Sequence, residues 1–421
     1  MLISLTADTP KGISDNKLFA ALAQSLEGRQ LKKVLLIPPD FTRFHSGAGK
    51  VTNEYYKLLK DKCQVDILPA LGTHVKMTPE ECAEMFGDIP YELFIEHKWR
   101  TDIVKLGEVP ADFVSEVSEG LVNEPISVEV NRLITDKSYD LIISIGQVVP
   151  HEVVGMANYS KNIFVGCGGS DMINSSHMLG AVYGMERVMG KDHSPVRKVF
   201  DYAQKHFLAD LPLIYVLTVT TAQQNEIFIH GLFIGNERSL FEQGVASSQQ
   251  KNLTFVEKPF EKVVVFLDPK EFKSTWLGNK AIYRTRMAIA DDGELIILAP
   301  GVNKFGEDSE NDRLIRKYGY VGRINVLKLT EQNEDLKNNL SVAAHLIHGS
   351  SDDRFSITYC TKHLTEREVT DAAFSYIPYD EVIKRYNPAL LKDGHNTLPN
   401  GERIYYISNP ALGLWVSKEK F

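Results

Sequence analysis

Cysteine is scarce in this 421-residue chain, with only Cys63, Cys82, Cys167 and Cys360, widely scattered and without a CxxC pair. That excludes a disulfide framework and a cysteine-built zinc cluster, and the four residues read as reduced thiols. Basic excess is missing as well: 47 Lys and Arg stand against 55 Asp and Glu, a net charge of −8, so no cationic face is expected for nucleic acid. No apolar run reaches the length of a membrane span, and Met1-Leu2-Ile3-Ser4-Leu5-Thr6 lacks the basic and apolar regions of a secretion signal. A cytoplasmic protein with no membrane partner is the expectation. Internal repeats, low-complexity tracts and heptads are also absent. What is present is a composition 43% hydrophobic and 24% charged, long enough for two domains with separate cores.

Apolar runs bounded by turn residues alternate with stretches of helical period. Asp15 to Leu26 and Val51 to Lys60 read as helices, and Lys32 to Ile37 and Val65 to Ala70 as strands stopped by prolines. Thr78-Pro79-Glu80-Glu81 is a helix-start signature. Further strands are expected at Ile126 to Val130, Leu141 to Gly146 and Leu213 to Val219, the last lying centrally, with a helix over Ser194 to Lys205. Past a polar connection at Lys251 to Pro259, strands recur at Lys262 to Asp268, Leu295 to Pro300, Ile324 to Leu329 and Arg354 to Tyr359. The expected fold class is α/β: two α/β domains with largely parallel sheets and an active-site cleft between them. Residues 1–258 form the N-terminal domain and 259–407 the smaller C-terminal one, with 408–421 packing back on the first.

Candidate site residues follow three of these strands. After Ile37 comes Asp40-Phe41-Thr42-Arg43, where Arg43 either pins the loop by pairing with Asp40 or presents its planar fork to a carboxylate or phosphate. His74 stands in the loop after the second strand. After Gly146 come His151, then Lys161 ten residues on, then His177 sixteen residues further, with Gly166, Gly168 and Gly169 between. Taken singly, each histidine could be a satisfied half-buried polar group, Lys161 a solvated lysine and the glycines a tight turn. Together, at the carboxyl end of a strand, they read as a site in which glycine N–H groups meet an anion beside a nucleophilic lysine and a ligating histidine.

Asp40-Phe41-Thr42-Arg43, Gly72-Thr73-His74, and Pro150-His151 followed by Gly155, Lys161, Gly166, Gly169 and His177 resemble the signature segments of the lactate racemase family. These are nickel-pincer-nucleotide-dependent 2-hydroxyacid racemases and epimerases. The resemblance runs over nearly the whole chain. It implies an isomerase that inverts C2 of a 2-hydroxyacid by hydride transfer. The implied cofactor is pyridinium-3,5-bisthiocarboxylic acid mononucleotide, joined covalently to Lys161 and holding nickel, with His177 as a metal ligand. By the same resemblance His74 and His151 are the opposed acid/bases, Asp40 and the three glycines lie at the cofactor, Arg43 holds the substrate carboxylate, and cofactor-biosynthesis proteins are partners.

The sequence departs from the family in the second half. Where the family has Tyr-Gln-x-x-Lys, this chain reads Tyr283-Arg284-Thr285-Arg286-Met287. With Tyr283 and Arg284 as substrate-binding candidates, a substrate longer than lactate is expected: an aldonic acid, malate or 2-hydroxyglutarate. A surface Arg284 pairing with Asp291 or Asp292 is the alternative. Lactate itself, a pyridoxal-phosphate enzyme using Lys161, and a non-catalytic sugar-acid-binding protein are the rival functions.

Overall fold

The expected alternation of strand and helix is present in the computed structural model, which describes residues 2–223 and 226–421. Two compact units appear, Met1–Leu179 with Val188–Asn252, and Gly180–Arg187 with Leu253–Phe421. The chain runs β1 (Ile3–Thr6), α1 (Asp15–Gln24), β2 (Lys33–Ile37), α2 (Ala48–Leu59), β3 (Gln64–Ile67), α3 (Pro79–Phe86), β4 (Ile103–Val109), α4 (Ala111–Val117), β5 (Ile126–Asn131) and β6 (Leu141–Gln147). It continues through the two-residue strands β7 (Pro150–His151) and β8 (Gly155–Met156), then α5 (Ser170–Tyr183), α6 (Met185–Val188), α7 (Pro195–Phe207), β9 (Leu213–Gln223), β10 (Glu226–Gly235) and α8 (Arg238–Asn252).

The main sheet of the first unit has the order β1-β10-β9-β6-β2-β3. Strands β9, β6, β2 and β3 are parallel, and β10 is antiparallel to its neighbours β1 and β9. Alternate residues explain why these runs are apolar throughout. Leu35, Ile37 and Ile142 enter the core on one face, while Val34, Leu36, Leu141 and Ile143 enter a second core on the other. Because β3, β2 and β6 are adjacent and parallel, the loops that follow them open at one edge of the sheet. Helix α3 starts at the expected signature: Thr78 Oγ1 accepts from Glu81 N–H, and the Glu81 carboxylate accepts from Thr78 N–H.

The second unit contains β11 (Leu253–Val256), β12 (Phe260–Phe266), α9 (Thr275–Gly278), α10 (Lys280–Thr285), β13 (Ile289–Ala299), α11 (Ser309–Tyr318) and α12 (Arg323–Gln332). Helices α13 (Glu334–Lys337) and α14 (Leu340–His348) precede β14 (Phe355–Thr361), β15 (Ser375–Tyr376), β16 (Gly394–Thr397), β17 (Arg403–Ile407) and β18 (Leu414–Ser417). Its sheet, β15-β14-β13-β12-β17-β16, is parallel except for β16. The strand expected at Ile324 to Leu329 is helix α12 instead. Its buried positions, Val326 and Thr330, are four apart and lie on one helical stripe, while Ile324 stays 65% exposed. The C-terminal strand β18 pairs in parallel with β11, and both group with the second unit. The second unit therefore takes Gly180–Arg187 as well as everything after Asn252, residues 408–421 included, where the sequence suggested a single boundary at 258 and a return of the tail to the first.

Candidate active site

Pro38 and Pro39 end β2, and the chain turns at once into a tight helical turn over Phe41–Ser46. Asp40 is buried at its start, where Thr42 Oγ1 donates to Oδ1 at 2.5 Å and His74 Nδ1 lies 2.5 Å from Oδ2. A carboxylate on Nδ1 fixes the tautomer: Nδ1 carries the proton and donates, so Nε2 keeps its lone pair. Burial pushes the Asp40 carboxyl up, but the bonds from His74 and Thr42 and the nearby charge of Arg43 outweigh it, and it ionises below the ordinary value. The His74 side chain itself remains 49% exposed. Arg43 does not form the local ion pair with Asp40. Its guanidinium makes no hydrogen bond or ion pair among the described residues, which leaves the fork available to an anion.

His151 lies at the end of the β7–β8 pair and is buried. Val153 N–H donates to its Nδ1 at 3.2 Å, so the neutral ring carries its proton on Nε2, opposite to His74. Burial drives its protonation well below the ordinary range; Glu152, with Oε2 3.8 Å from Nδ1, opposes that, and the charges of Lys161, Arg43 and His177 add to it. Lys161 is half-buried and makes no hydrogen bond or ion pair among the described residues. Burial and the charge of Arg43 bring its amine down to about 8, against the pull of Glu152 and Asp40. On α5, His177 Nδ1 donates to the Ile173 carbonyl at 2.6 Å, which leaves Nε2 with a lone pair and no protein partner among the described residues. Burial, helped by the Lys161 charge and opposed by the bond to Ile173 and by Glu152, lowers this ring to about 4, so it is neutral and able to ligate at neutral pH. Lys161 thus lies within electrostatic reach of Asp40, Arg43, Glu152, His151 and His177.

His97 and His151 imply a pH response of the fold. Burial holds His97 below the ordinary histidine value, its Nε2–H donating to Gly168 O at 3.0 Å. Since both rings are harder to protonate folded than unfolded, the unfolded chain binds more protons as pH falls through about 6.5. Stability is therefore full above that point and declines below it. The melting temperature is expected to drop by about 5 °C or more between pH 7.5 and 5, with a shallower slope in His151→Gln; a flat profile would contradict the buried neutral state.

The glycines play a different part from the one their spacing suggests. Gly168 N–H donates to Val165 O and Gly169 N–H to Glu129 O, so neither is turned toward an anion. Their lack of a side chain is a packing requirement: a Cβ would stand 1.9 Å from Phe164 O at Gly168, 2.2 Å from Glu129 Oε2 at Gly169 and 2.6 Å from Ala70 Cβ at Gly166. The N-terminus of α5 likewise faces carboxylates, with Asp171 N–H on Glu129 Oε2 and the Asp171 carboxylate on Ser127 N–H. Gly168→Ala should destabilise by ~1–3 kcal/mol, because the Phe164 carbonyl belongs to packed backbone that has nowhere to move. Urea denaturation measures this, and an unchanged midpoint would refute it.

In the second unit, Arg284 is 3% exposed, and Asp291, its suggested surface partner, pairs instead with Arg354 at 2.9 Å. Tyr283 OH lies 3.2 Å from His345 Nδ1, and Met287 is fully buried. Arg286 is held by Glu186 and Asp352.

Sequence reasoning missed Glu152 and Arg197. The signal for Arg197 was available: it sits on the same helical stripe as Val196, Val199, Phe200 and Ala203, where an arginine is out of place unless it is bonded.

Residues 20–190 match the protein family described as the lactate racemase N-terminal domain. No curated protein matches the chain in sequence. A crystal structure of a Thermotoga maritima protein is similar over 98% of this chain and 100% of its own, with a TM-score of 0.83 and 23% identity. The lactate racemase apoprotein of Thermoanaerobacterium thermosaccharolyticum is similar over 97% of this chain and 90% of its own, with a TM-score of 0.68 and 19% identity. At these identities the likeness is one of fold.

Proposed function

We propose that this chain, whose residues 20–190 match the lactate racemase N-terminal domain family, is a racemase or epimerase inverting C2 of a 2-hydroxyacid with a nickel-pincer nucleotide bound at Lys161. The observation that carries the reading is the pairing of an amine without a hydrogen-bond partner among the described residues, Lys161, with a histidine whose bare Nε2 suits a metal, His177. Among the described residues the one cluster of three potential protein ligands is Asp192, His193 and Glu242, which does not include His177. A single protein ligand fits a metal whose other donors arrive with its nucleotide. When bound, that group supplies the hydride acceptor for C2.

The protein's residues supply the rest. Arg43 offers the planar fork that holds a carboxylate. His74, oriented by Asp40, takes the 2-hydroxyl proton at Nε2. For the opposite face His151 can donate through Nε2–H only with a second proton on Nδ1, so that losing Nε2–H leaves the neutral ring. Serving as base there requires its proton to move to Nδ1, where Glu152 Oε2 at 3.8 Å is the acceptor. Both faces of a planar 2-oxo acid are thereby served.

For the substrate we favour a polar 2-hydroxyacid longer than lactate, with an aldonic acid ahead of malate or 2-hydroxyglutarate. The departure from the family at position 284, where a cation stands in place of glutamine, favours further polar groups on the substrate. Nickel-loaded protein should exchange C2 deuterium fastest with gluconate in a panel that includes lactate, malate, 2-hydroxyglutarate and phenyllactate. Arg284→Gln with Met287→Lys should shift preference toward lactate. Fastest exchange on lactate by the unaltered protein would remove the substrate assignment, and no exchange on any member would remove the reaction.

A further inference from the structure

Arg197 is fully buried, yet no carboxylate lies within ion-pair distance of it among the described residues. Nearby Asp192 and Asp201 are engaged by Arg238, at 2.6 and 2.9 Å. Burying a guanidinium without a counter-ion is costly unless its donors are used. Two of its three nitrogens donate to one short segment, Nη1 to Ser160 Oγ at 2.8 Å and Nη2 to the carbonyls of Met156 at 2.7 Å and Asn158 at 3.2 Å, while Nε is buried with no hydrogen-bond partner among the described residues. The Phe241 ring covers the guanidinium with its centroid 4.3 Å away. All three acceptors immediately precede Lys161.

That segment needs holding. Asn158 and Tyr159 adopt left-handed backbone, φ +67° and +56°, which side chains other than glycine avoid. Two such residues in succession persist only where the surroundings over-determine them. Asn158 Oδ1 accepts from Tyr159 N–H at 2.6 Å, and the Asn158 amide lies where a Cβ on Gly146 would stand, 2.0 Å away. Buried carbonyls in such a turn have no ladder partner, and a lysine or glutamine could reach one of them where the arginine fork reaches three oxygens at once.

We propose that Arg197 is the positioning residue for Lys161: it fixes the left-handed turn from which the amine enters the site, and adds a second cation beside it. This rests on the reading of Lys161 as the cofactor's covalent anchor. The groups that act on the amine are Arg43 and Asp40 after β2, Glu152 in the turn after β7 and Arg197 from α7, while the rings of His151 and His177 feel its charge in turn.

The test uses cofactor-free protein pulsed with acetic anhydride across pH, with peptide mass spectrometry reading Lys161 against the exposed Lys57. In the unaltered protein Lys161 should reach half-maximal labelling at lower pH than Lys57. Arg197→Gln should raise that midpoint by about one pH unit and cut Lys161 labelling about tenfold near pH 7, since losing the neighbouring cation and the turn both favour the protonated amine. Arg197→Lys, which keeps the charge but not the fork, should recover most of the midpoint and little of the rate. Ser160→Ala removes one bond of three and should cut the rate about two- to threefold with the fold intact. A folded Arg197→Gln with the parent's Lys161-to-Lys57 ratio overturns the inference, and if that variant does not fold, an unchanged ratio in Ser160→Ala does so. If the parent gains no adduct at Lys161 when co-produced with the cofactor-making enzymes, the cofactor reading falls, and the labelling contrast still decides the role of Arg197.

Discussion

Lys161→Ala is expected to abolish activity outright, because in the proposed reading it removes the attachment point of the cofactor. When the unaltered chain is co-produced with the cofactor-making enzymes, intact mass should show a covalent adduct and elemental analysis about one nickel per chain; Lys161→Ala should show neither. Lys161→Arg should behave like the alanine variant, since a guanidinium keeps the charge but remains protonated and is a poor nucleophile. His177→Ala separates the two steps. It leaves Lys161 untouched, so the adduct should form while nickel is lost or held weakly, His177 Nε2 being the protein's ligand in this reading. An unmodified mass for the parent under co-production would sink the assignment whatever the activity.

The second large effect is expected at the Asp40–His74 pair. His74→Ala should lower turnover by at least the ~10²-fold typical of a lost general base. Asp40→Asn should cost as much, although it keeps size and burial. An amide facing Nδ1 can donate where the carboxylate only accepts; His74 would then carry its proton on Nε2 and have no lone pair for the substrate hydroxyl. Because the two residues act as one unit, the double variant should be no slower than His74→Ala alone. Full activity in Asp40→Asn would show that the 2.5 Å contact does not set the tautomer. His45 and His206 are suitable controls. His97 is not, because its ring bridges Asn131 and Gly168 in the core and its loss would act through stability.

The sheet edge was legible in the sequence because three apolar strands each ended in proline or glycine and were followed directly by reactive side chains, and strand parallelism did the rest. The start of α3 was legible because capping is local chemistry. Ile324 to Leu329 was misread because six residues of mixed polarity satisfy a period of two as well as one of four, and only burial at Val326 and Thr330 decides. The glycines were misread for a related reason. Spacing reports that a Cβ is intolerable, and whether an anion or a backbone carbonyl such as Phe164 O occupies that place depends on contacts distant in sequence. The tautomer of His74 was beyond reach for the same cause, being set by a carboxylate 34 positions away, while that of His151 is set by a backbone N–H two positions on, whose direction depends on the local fold of the turn.

The anchoring of the lysine loop also sets an order of events. Met156 is tied to Arg197 across 41 positions, and Asn162, next to Lys161, donates to the Ile37 carbonyl across 125. Neither tie exists until α7 has left the ribosome and the sheet has closed on β2, so during synthesis Lys161 is an ordinary flexible lysine with an ordinary, protonated amine. Its reactivity is a product of folding. On the proposed reading of Lys161, an enzyme that installs the nucleotide would have to meet a finished domain, and pulse-labelled chains should acquire the adduct only after the first unit has become resistant to protease.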